Sequence, residues 1–493
     1  MSDISDSIAK PPVRKLKNAM PETPFKTFSW ELQRHFAHVS GDFNPVHMDD
    51  VAARRTQAGK AVVHGMHLAL WGLDRLIQEE KIVAPLAGFK ARFTKMVYVE
   101  ETASLAVVRD DGTQLTAQVR VGNVVVATLS VTRGPMLSLE ASTPHADKED
   151  SGNPVELKLE DLNGKSGTVA FSHDAESLFP AATRALGATR IQAIATISRL
   201  VGMVCPGLHS IAYSYQIAFA EGGEGDRALA FQVEEVDERF RLLTQVVWGG
   251  GVKGTVVALA RVPPVEQRHI GEVAKFVAPE QFRGITALVV GGSRGLGELT
   301  AKILAAGGAS VVITYAVGHR EALAVCEEIR AFGAPPETKQ AETMQYDVRL
   351  SAATQLKQLR VPPTHVYYFA TSAIFRRVDG VFSSAVFEDF CRFYITGFHD
   401  LCEQLMKGRR EALHVLYPSS VAVAERPAGL TEYAMAKAGG ELLCEDLNRA
   451  QPLLKIHVAR LPRILTDQTA TTTDVETADA LTTLLPLVQA PLC

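Results

Sequence analysis

The chain has 493 residues, of which 46% are hydrophobic and 22% charged, and its net charge is −4. This length exceeds that of one ordinary core, so we expect two or three domains of globular composition. The small net charge excludes the global basic signature of a nucleic-acid-binding protein.

Cysteine usage and hydropathy indicate the compartment. The six cysteines form no CxxC pair and no Cys/His cluster at zinc spacing, which predicts free thiols in a reducing compartment and no metal site. The first twenty residues lack the apolar core of a signal peptide, and no run approaches the ~20 apolar residues of a membrane span. We expect a cytoplasmic protein.

Two turn-rich segments divide the chain. The polar stretch SLEASTPHADKEDSGNP predicts a linker, and a later stretch with a Pro-Pro pair and little periodicity predicts a connector. The predicted N-terminal extension, first domain, linker, second domain, connector and third domain are 1–20, 21–137, 138–154, 155–262, 263–283 and 284–493.

The first two domains share an order of predicted elements. In the first, apolar residues at helical spacing predict a helix over 64–77, and strand-like runs follow it. In the second, a candidate helix over 188–207 precedes four strand-like runs. A long helix followed by an antiparallel meander implies an α+β layer with the sheet wrapped on the helix.

The third domain alternates strands and helices, as in "ITALVVGG", "GELTAKILAAGG" and "SVVITYA". Alternation of this length predicts a doubly wound parallel sheet.

A glycine-rich loop opens the third domain. In "ALVVGGSRGLGELTAKIL", three glycines lie between an apolar strand and a helix. Glycine permits a tight turn and close approach of the backbone to a pyrophosphate at the helix N-terminus. The predicted cofactor-binding residues of this loop are Gly291, Ser293, Arg294, Gly295, Leu296 and Gly297.

This loop resembles the short-chain dehydrogenase/reductase pattern TGxxxGxG, with Val290 in the Thr position. "YAMAK" supplies Tyr433 and Lys437 on one helical face, and Ser420 lies thirteen residues before Tyr433. The resemblance implies that Ser420 holds a substrate carbonyl while Tyr433 supplies the proton. Lys437 would lower the pKa of the phenol, and a bound nicotinamide cofactor would supply hydride.

The sequence departs from that family in three places. The Asn-Ala-Gly after the fourth strand is absent, Tyr394 stands where the family has a helix Asn, and the chain ends without the usual final strand. These departures leave the proton relay and the tetramer interface open, although we expect a homodimer or higher homo-oligomer through the third domain.

The cofactor's form is predicted from the second strand of this domain. Its end, "ITYAVGHR", has no acidic residue before Glu321, whereas NAD enzymes place an acid there for the ribose hydroxyl. The resemblance places Arg294 on a 2′-phosphate, so we predict NADP(H). Asp347 matches the family's adenine-side Asp, although it could equally be an ordinary strand-end residue.

The first domain contains a second set of reactive residues. "SGDFNPVHMDD" holds Asp42 and His47, and "HGM" follows at the helix start. The stretch could be a turn with a capping Asp and a surface His. Together with "FTKMVYVEETASL", however, it resembles the MaoC-like hot-dog hydratases and dehydratases over roughly residues 25–135.

That resemblance implies water elimination from a 3-hydroxyacyl thioester. Such a reaction needs a base for the Cα proton, an acid for the departing hydroxyl and a donor for the thioester oxygen. Asp42 and His47 would share the first two roles in an order that the sequence leaves open, and the N–H of Gly65 would bind the oxygen.

The second domain carries no equivalent pair, since His173 and Asp174 have the wrong order and spacing. We therefore predict a degenerate second hot-dog with a structural role. Basic residues near the first site could bind carrier or coenzyme A phosphates or an acidic carrier protein, or could form a solvated face: Arg54, Arg55, Lys60, Lys90, Arg92 and Lys95.

The combined prediction is a double hot-dog followed by a Rossmann-type domain. The chain would reduce a 3-oxoacyl thioester with NADPH and dehydrate the product to a 2-enoyl thioester, in fatty-acid or polyketide-type biosynthesis. Two alternatives remain: a degradative hydratase–dehydrogenase that uses NAD and acyl-CoA, and an acyl-carrier-binding scaffold with one or both sites inactive. No nucleic-acid partner and no membrane span are expected.

Overall fold

A computed structural model describes residues 23–83, 85–138, 152–332, 341–376, 380–470 and 475–489. The predicted N-terminal extension and most of the predicted linker lie outside these ranges. Within them, no helix combines the length and apolar character needed to cross a bilayer.

The strands, in chain order, are β1 Thr23–Thr27, β2 Leu86–Phe93, β3 Thr102–Asp110, β4 Gln114–Val121, β5 Val124–Arg133, β6 Ser166–Ala170, β7 Ser210–Phe219, β8 Ala228–Asp237, β9 Leu242–Gly249, β10 Val252–Ala260, β11 Thr286–Val290, β12 Ser310–Tyr315, β13 Ala341–Gln345, β14 His365–Tyr368, β15 Leu413–Ser420 and β16 Leu454–Leu461. The α-helices are α1 Trp30–Ser40, α2 Pro45–Met48, α3 Asp50–Ala53, α4 Gly65–Gln78, α5 Pro180–Leu186, α6 Ala188–Arg199, α7 Ile270–Val273, α8 Gly295–Ala306, α9 His319–Ala331, α10 Ala352–Gln355, α11 Ser384–Cys391, α12 Gly397–Met406, α13 Ala422–Glu425, α14 Thr431–Ala450 and α15 Ala480–Gln489. Two π-helical turns cover Leu200–Val204 and Arg392–Thr396, and three 3₁₀ turns cover Leu159–Asp161, Ala274–Phe276 and Leu356–Gln358.

The first two domains form one ten-stranded antiparallel sheet in the order β1-β3-β4-β5-β2-β7-β10-β9-β8-β6. The β2–β7 pair joins the two halves, with Phe89 opposite Ile217. The central helices α4 and α6 share one hydrophobic core that continues across both halves. Gly72 lets α4 approach the sheet, because a Cβ there would lie 2.2 Å from Leu129 Cδ1. The predicted double hot-dog is confirmed.

Three elements differ from their predicted form. The short edge strands β1 and β6 were not predicted, since five residues give too little alternation to identify a strand. The helix predicted over 188–207 ends its α-helical part at Arg199 and continues as a π turn. π turns of this kind are frequent at functional sites.

The third domain holds a six-stranded parallel sheet in the order β13-β12-β11-β14-β15-β16. One apolar cluster covers each face of this sheet. The predicted doubly wound Rossmann-type fold is confirmed. The predicted connector contributes to this domain, because Ile270 and Val273 of α7 are buried in one of its clusters.

Candidate active sites

Asp42 lies at the boundary between the two hot-dog halves. It follows α1, whose last turn is closed by Gly41 at a φ of 77°. Asp42 is 1% exposed, and its Oδ2 accepts a hydrogen bond of 2.7 Å from Ser198 Oγ of the second half. Its Oδ1 accepts from the backbone N–H of Asn44 at 3.2 Å. Burial raises the pKa of Asp42, and the Ser198 hydrogen bond opposes that shift.

His47 lies on the short helix α2, where Pro45 at the first helical position and the Asn44 cap fix the turn. Its Nδ1 lies 2.8 Å from the carbonyl oxygen of Val62. Because a carbonyl only accepts, Nδ1 carries the proton and Nε2 keeps a free lone pair. Burial lowers the pKa of His47, which favours the neutral imidazole that a general base requires.

His64 and Gly65 complete the first-half wall. His64 is fully buried, donates from Nε2 to the Asp42 carbonyl at 3.0 Å and stacks on His47 at 4.0 Å. Gly65 begins α4 and lines the cavity. A backbone N–H in the first turn of a helix has no intrahelical acceptor. It is therefore available to bind a substrate oxygen.

The cavity beside these residues has a volume of about 210 Å³ and lies between the two halves. The first half contributes Asp42, His47 and Gly65, and the second contributes Ser198 and Gly202 among others. The candidates His173 and Asp174 are exposed and do not line it. The second half therefore forms part of the wall, without an acid–base pair of its own in this cavity.

Two further contacts hold the loop of Asp42 against the second half, and the sequence did not identify them. A Cβ on Gly202, in the π turn, would lie 2.3 Å from Asp42 Oδ1. The Asn44 side-chain amide donates to the carbonyls of Gly202 at 2.6 Å and Leu208 at 3.2 Å. A lone Gly in a helical segment and backbone carbonyls more than 150 residues from Asn44 give no sequence signal for these contacts.

Asp42, His47 and His64 each offer one potential metal-ligating atom, and these atoms lie within 4.8 Å of one another. One ring nitrogen of each histidine is already bound to a backbone carbonyl. The arrangement fits acid–base chemistry, and the absence of a metal stays a prediction.

The third domain brings its three predicted catalytic residues together. Ser420 ends β15, while Tyr433 and Lys437 lie on α14. Tyr433 shares a side-chain hydrogen bond with Ser420, and burial raises its pKa. The Lys437 ammonium donates to the Pro418 carbonyl at 2.6 Å, and burial lowers the pKa of Lys437 to about 7.

The family pattern places Tyr394 where the family has a helix Asn, and this stays a prediction. Tyr394 lies in the π turn of the helix facing α14, and its ring centroid is 3.9 Å from Lys437 Nζ. Its hydroxyl is hydrogen-bonded to Thr371, and its carbonyl accepts from Tyr417 at 2.9 Å. Lys437 therefore faces an aromatic ring as well as a carbonyl, a cation–π contact.

The glycine loop has the geometry of a dinucleotide cradle. Gly291 and Gly295 have φ of 80° and 60°, which favours glycine, and Gly291 N–H donates to Thr314 Oγ1 at 3.0 Å. A Cβ on Gly297 would lie 2.2 Å from the Gly291 carbonyl, whereas a Cβ on Gly295 would meet nothing within 4 Å. The loop is therefore close-packed at Gly297 and has open space at Gly295, at the start of α8. This geometry fits a pyrophosphate. Ser293 is buried in this loop, and Leu296 packs against the domain core.

The remaining predicted cofactor residues have protein partners. Arg294 donates to the Arg54 carbonyl at 2.5 Å and lies 3.4 Å from Asp467. Asp347 is paired with Arg349 at 2.7 Å, which lowers the pKa of Asp347. Their contacts with a cofactor stay predictions.

Two protein-family models match separate parts of the chain. Residues 16–132 match the MaoC like domain, and residues 285–479 match the short chain dehydrogenase family. A curated relative, the 3-hydroxyacyl-thioester dehydratase X of Mycobacterium tuberculosis (strain ATCC 25618 / H37Rv), is 30% identical over 103 residues. That match covers 21% of this chain and 36% of the relative, so the chain spans little more than a third of its length.

Solved structures also resemble part of the chain at low identity. A Shigella flexneri 2a short chain dehydrogenase complexed with NADP is 18% identical, with 43% of this chain and 92% of that chain covered and a TM-score of 0.38. The Pseudomonas aeruginosa RhlG/NADP complex is 20% identical, with 38% and 77% covered and a TM-score of 0.34. One chain therefore combines a region that matches the MaoC like domain with a region that matches the short chain dehydrogenase family.

Proposed function

We propose that this chain reduces a 3-oxoacyl thioester to the 3-hydroxyacyl thioester with NADPH and then removes water to give the 2-enoyl thioester. The observation that supports this most is the presence of both acid–base sets in one chain, Asp42 with His47 and Ser420 with Tyr433 and Lys437. The product of the second set is the substrate of the first. A fatty-acid or polyketide-type pathway, a cytoplasmic location, the choice between carrier protein and coenzyme A, and a homo-oligomer remain predictions.

For the dehydration, we assign the base to His47 and the acid to Asp42. His47 Nε2 takes the Cα proton, since Nδ1 is held by Val62 and the ring is neutral. The C–H electron pair forms the double bond as the C3–O bond breaks. Asp42, whose raised pKa favours the protonated form, donates its proton so that water leaves. Gly65 N–H binds the thioester oxygen as charge develops there.

For the reduction, a nicotinamide dinucleotide held by the glycine loop would supply hydride to C3 of the 3-oxoacyl group. Tyr433 donates a proton to the substrate oxygen, and Ser420, already hydrogen-bonded to Tyr433, holds that oxygen. The ammonium form of Lys437 would oppose the effect of burial on the Tyr433 pKa and so assist the proton transfer. The glycine loop would hold the pyrophosphate at the start of α8.

A degradative hydratase–dehydrogenase that uses NAD is the second candidate, because one observation favours it. Glu321 lies in the first turn of α9, just after β12, where a carboxylate accepts the ribose hydroxyl of NAD. Kinetics with both cofactors in both directions distinguish the two candidates.

Single-site variants test the assignment of the two sites. His47→Ala should still oxidise NADPH with a 3-oxoacyl thioester and accumulate the 3-hydroxyacyl product. Tyr433→Phe should lose NADPH oxidation and still dehydrate a supplied 3-hydroxyacyl thioester. If neither variant lowers its own partial reaction, the inactive-scaffold alternative replaces this proposal.

A further inference from the structure

Two arginines of the dehydratase domain contact the dehydrogenase domain. Arg54 and Arg55 follow α3 in the loop that leads from His47 to Val62. Arg54 Nη2 lies 2.5 Å from Glu321 Oε2, and Arg55 Nε lies 3.4 Å from Asp467 Oδ2. The sequence suggested carrier phosphates as partners of these basic residues, but neither arginine lines the dehydratase cavity.

The two arginines lie beside the predicted cofactor site, at the end where β12 leads into α9. Gly318 and Glu321 lie between β12 and the first turn of α9. In Rossmann domains, residues after the second strand contact the 2′ position of the adenosine ribose, a carboxylate for NAD and an arginine for NADP. A Cβ on Gly318 would lie 2.7 Å from Arg54 Nη2, so the guanidinium lies against this turn.

The charges at this end favour an anion. Three guanidinium groups, of Arg54, Arg55 and Arg294, meet two carboxylates, of Glu321 and Asp467. In the described part of the chain, Nε of Arg54 and Oε1 of Glu321 are buried and have no hydrogen-bond partner. The ion pair thus keeps one unused donor beside one unused acceptor.

We propose that Arg54, supplied by the dehydratase domain, binds the 2′-phosphate of the dinucleotide held by the dehydrogenase domain and sets its preference for NADP(H) over NAD(H). The inference rests on the proposed function, in which the glycine loop holds that dinucleotide. Arg54 pairs with Glu321 in the structure. A 2′-phosphate offers the same guanidinium a doubly charged partner, whereas a ribose hydroxyl finds the Glu321 carboxylate.

Equilibrium binding of NADPH and NADH to the full chain, followed by calorimetry, tests this role. In Arg54→Ala, NADPH affinity should fall about 10- to 100-fold, the range expected for a hydrogen bond to a charged group, while NADH affinity stays within about twofold. In Glu321→Gln, NADH affinity should fall and NADPH affinity should be kept. Arg109→Ala, an exposed arginine on β3, is the matched control and should change neither.

The possible outcomes distinguish failure of the Arg54 role from failure of the proposed reductase function. Unchanged NADPH binding in Arg54→Ala, or an equal loss for both dinucleotides, would overturn the inference while the proposed function stands. Failure of the unaltered chain to bind either dinucleotide would overturn the reductase assignment and the inference with it. Retained NADH binding in Arg54→Ala shows that the variant cleft is folded.

Discussion

Replacing Ser198 with alanine tests how far the second hot-dog half controls Asp42, the proposed catalytic acid. Ser198 Oγ donates to Asp42 Oδ2 at 2.7 Å, and both residues are buried. A hydrogen bond to a charged group contributes about 1.5–3 kcal/mol, which corresponds to about one to two pKa units. Because this bond stabilises the carboxylate, its loss should raise the pKa of Asp42 by about that amount.

The assay is the initial rate of enoyl thioester formation from a 3-hydroxyacyl thioester across pH. Dehydration needs protonated Asp42, so the rate falls as pH rises through its pKa. In Ser198→Ala this falling limb should move to higher pH by about one to two units, and the maximal rate should fall about tenfold as Asp42 loses its orientation. Ser210→Ala, a serine of the same cavity, is the control and should leave the limb in place. An unshifted limb in Ser198→Ala would refute the positioning role.

Three further perturbations follow from the geometry. Gly202→Ala places a Cβ 2.3 Å from Asp42 Oδ1, so the dehydration rate should fall at least tenfold while dinucleotide binding by the same variant is unchanged. An unchanged dehydration rate would contradict the close contact of the two halves at Asp42. Burial lowers the pKa of Lys437 from 10.5 to about 7, so between pH 7 and 10.5 the unfolded chain binds more protons and the free energy of unfolding should rise with pH. Lys437→Met should flatten that rise in denaturant titrations, and an unchanged slope would contradict the burial of the amine. Gly297→Ala places a Cβ 2.2 Å from the Gly291 carbonyl, so calorimetry should show loss of dinucleotide binding while the dehydration rate is unchanged. Unimpaired binding would contradict the proposal that the glycine loop holds the pyrophosphate.

The local parts of both sites were predictable from the sequence. Asp42 lies in the turn after α1, and His47 lies on the short helix α2 that follows it. Tyr433 and Lys437 lie one helical turn apart on α14. Such spacings are set by backbone geometry and survive without knowledge of the tertiary fold. The alternation of strands and helices likewise predicted the parallel sheet, and a long helix followed by strand-like runs predicted the antiparallel sheet, because burial patterns follow the period of each element.

The contacts between distant segments were not predictable. Ser198 lies 156 residues from Asp42, and Glu321 lies 267 residues from Arg54. Both pairs depend on contacts between folded domains. The Ser198–Asp42 pair depends on the β2–β7 pairing of the two halves, and the Arg54–Glu321 pair depends on the contact of the loop after α3 with the third domain. No periodicity or motif within one segment encodes such packing.

The consecutive action of the two sites is tested most directly by one isotope measurement. The chain is incubated with a 3-oxoacyl thioester and NADPH carrying deuterium at the nicotinamide C4, and the thioester products are analysed by mass spectrometry. The account predicts a 2-enoyl thioester with deuterium at C3, because reduction adds the label at C3 and dehydration removes hydrogen from C2. Oxidation of NADPH that yields labelled 3-hydroxyacyl thioester and no enoyl product would contradict it.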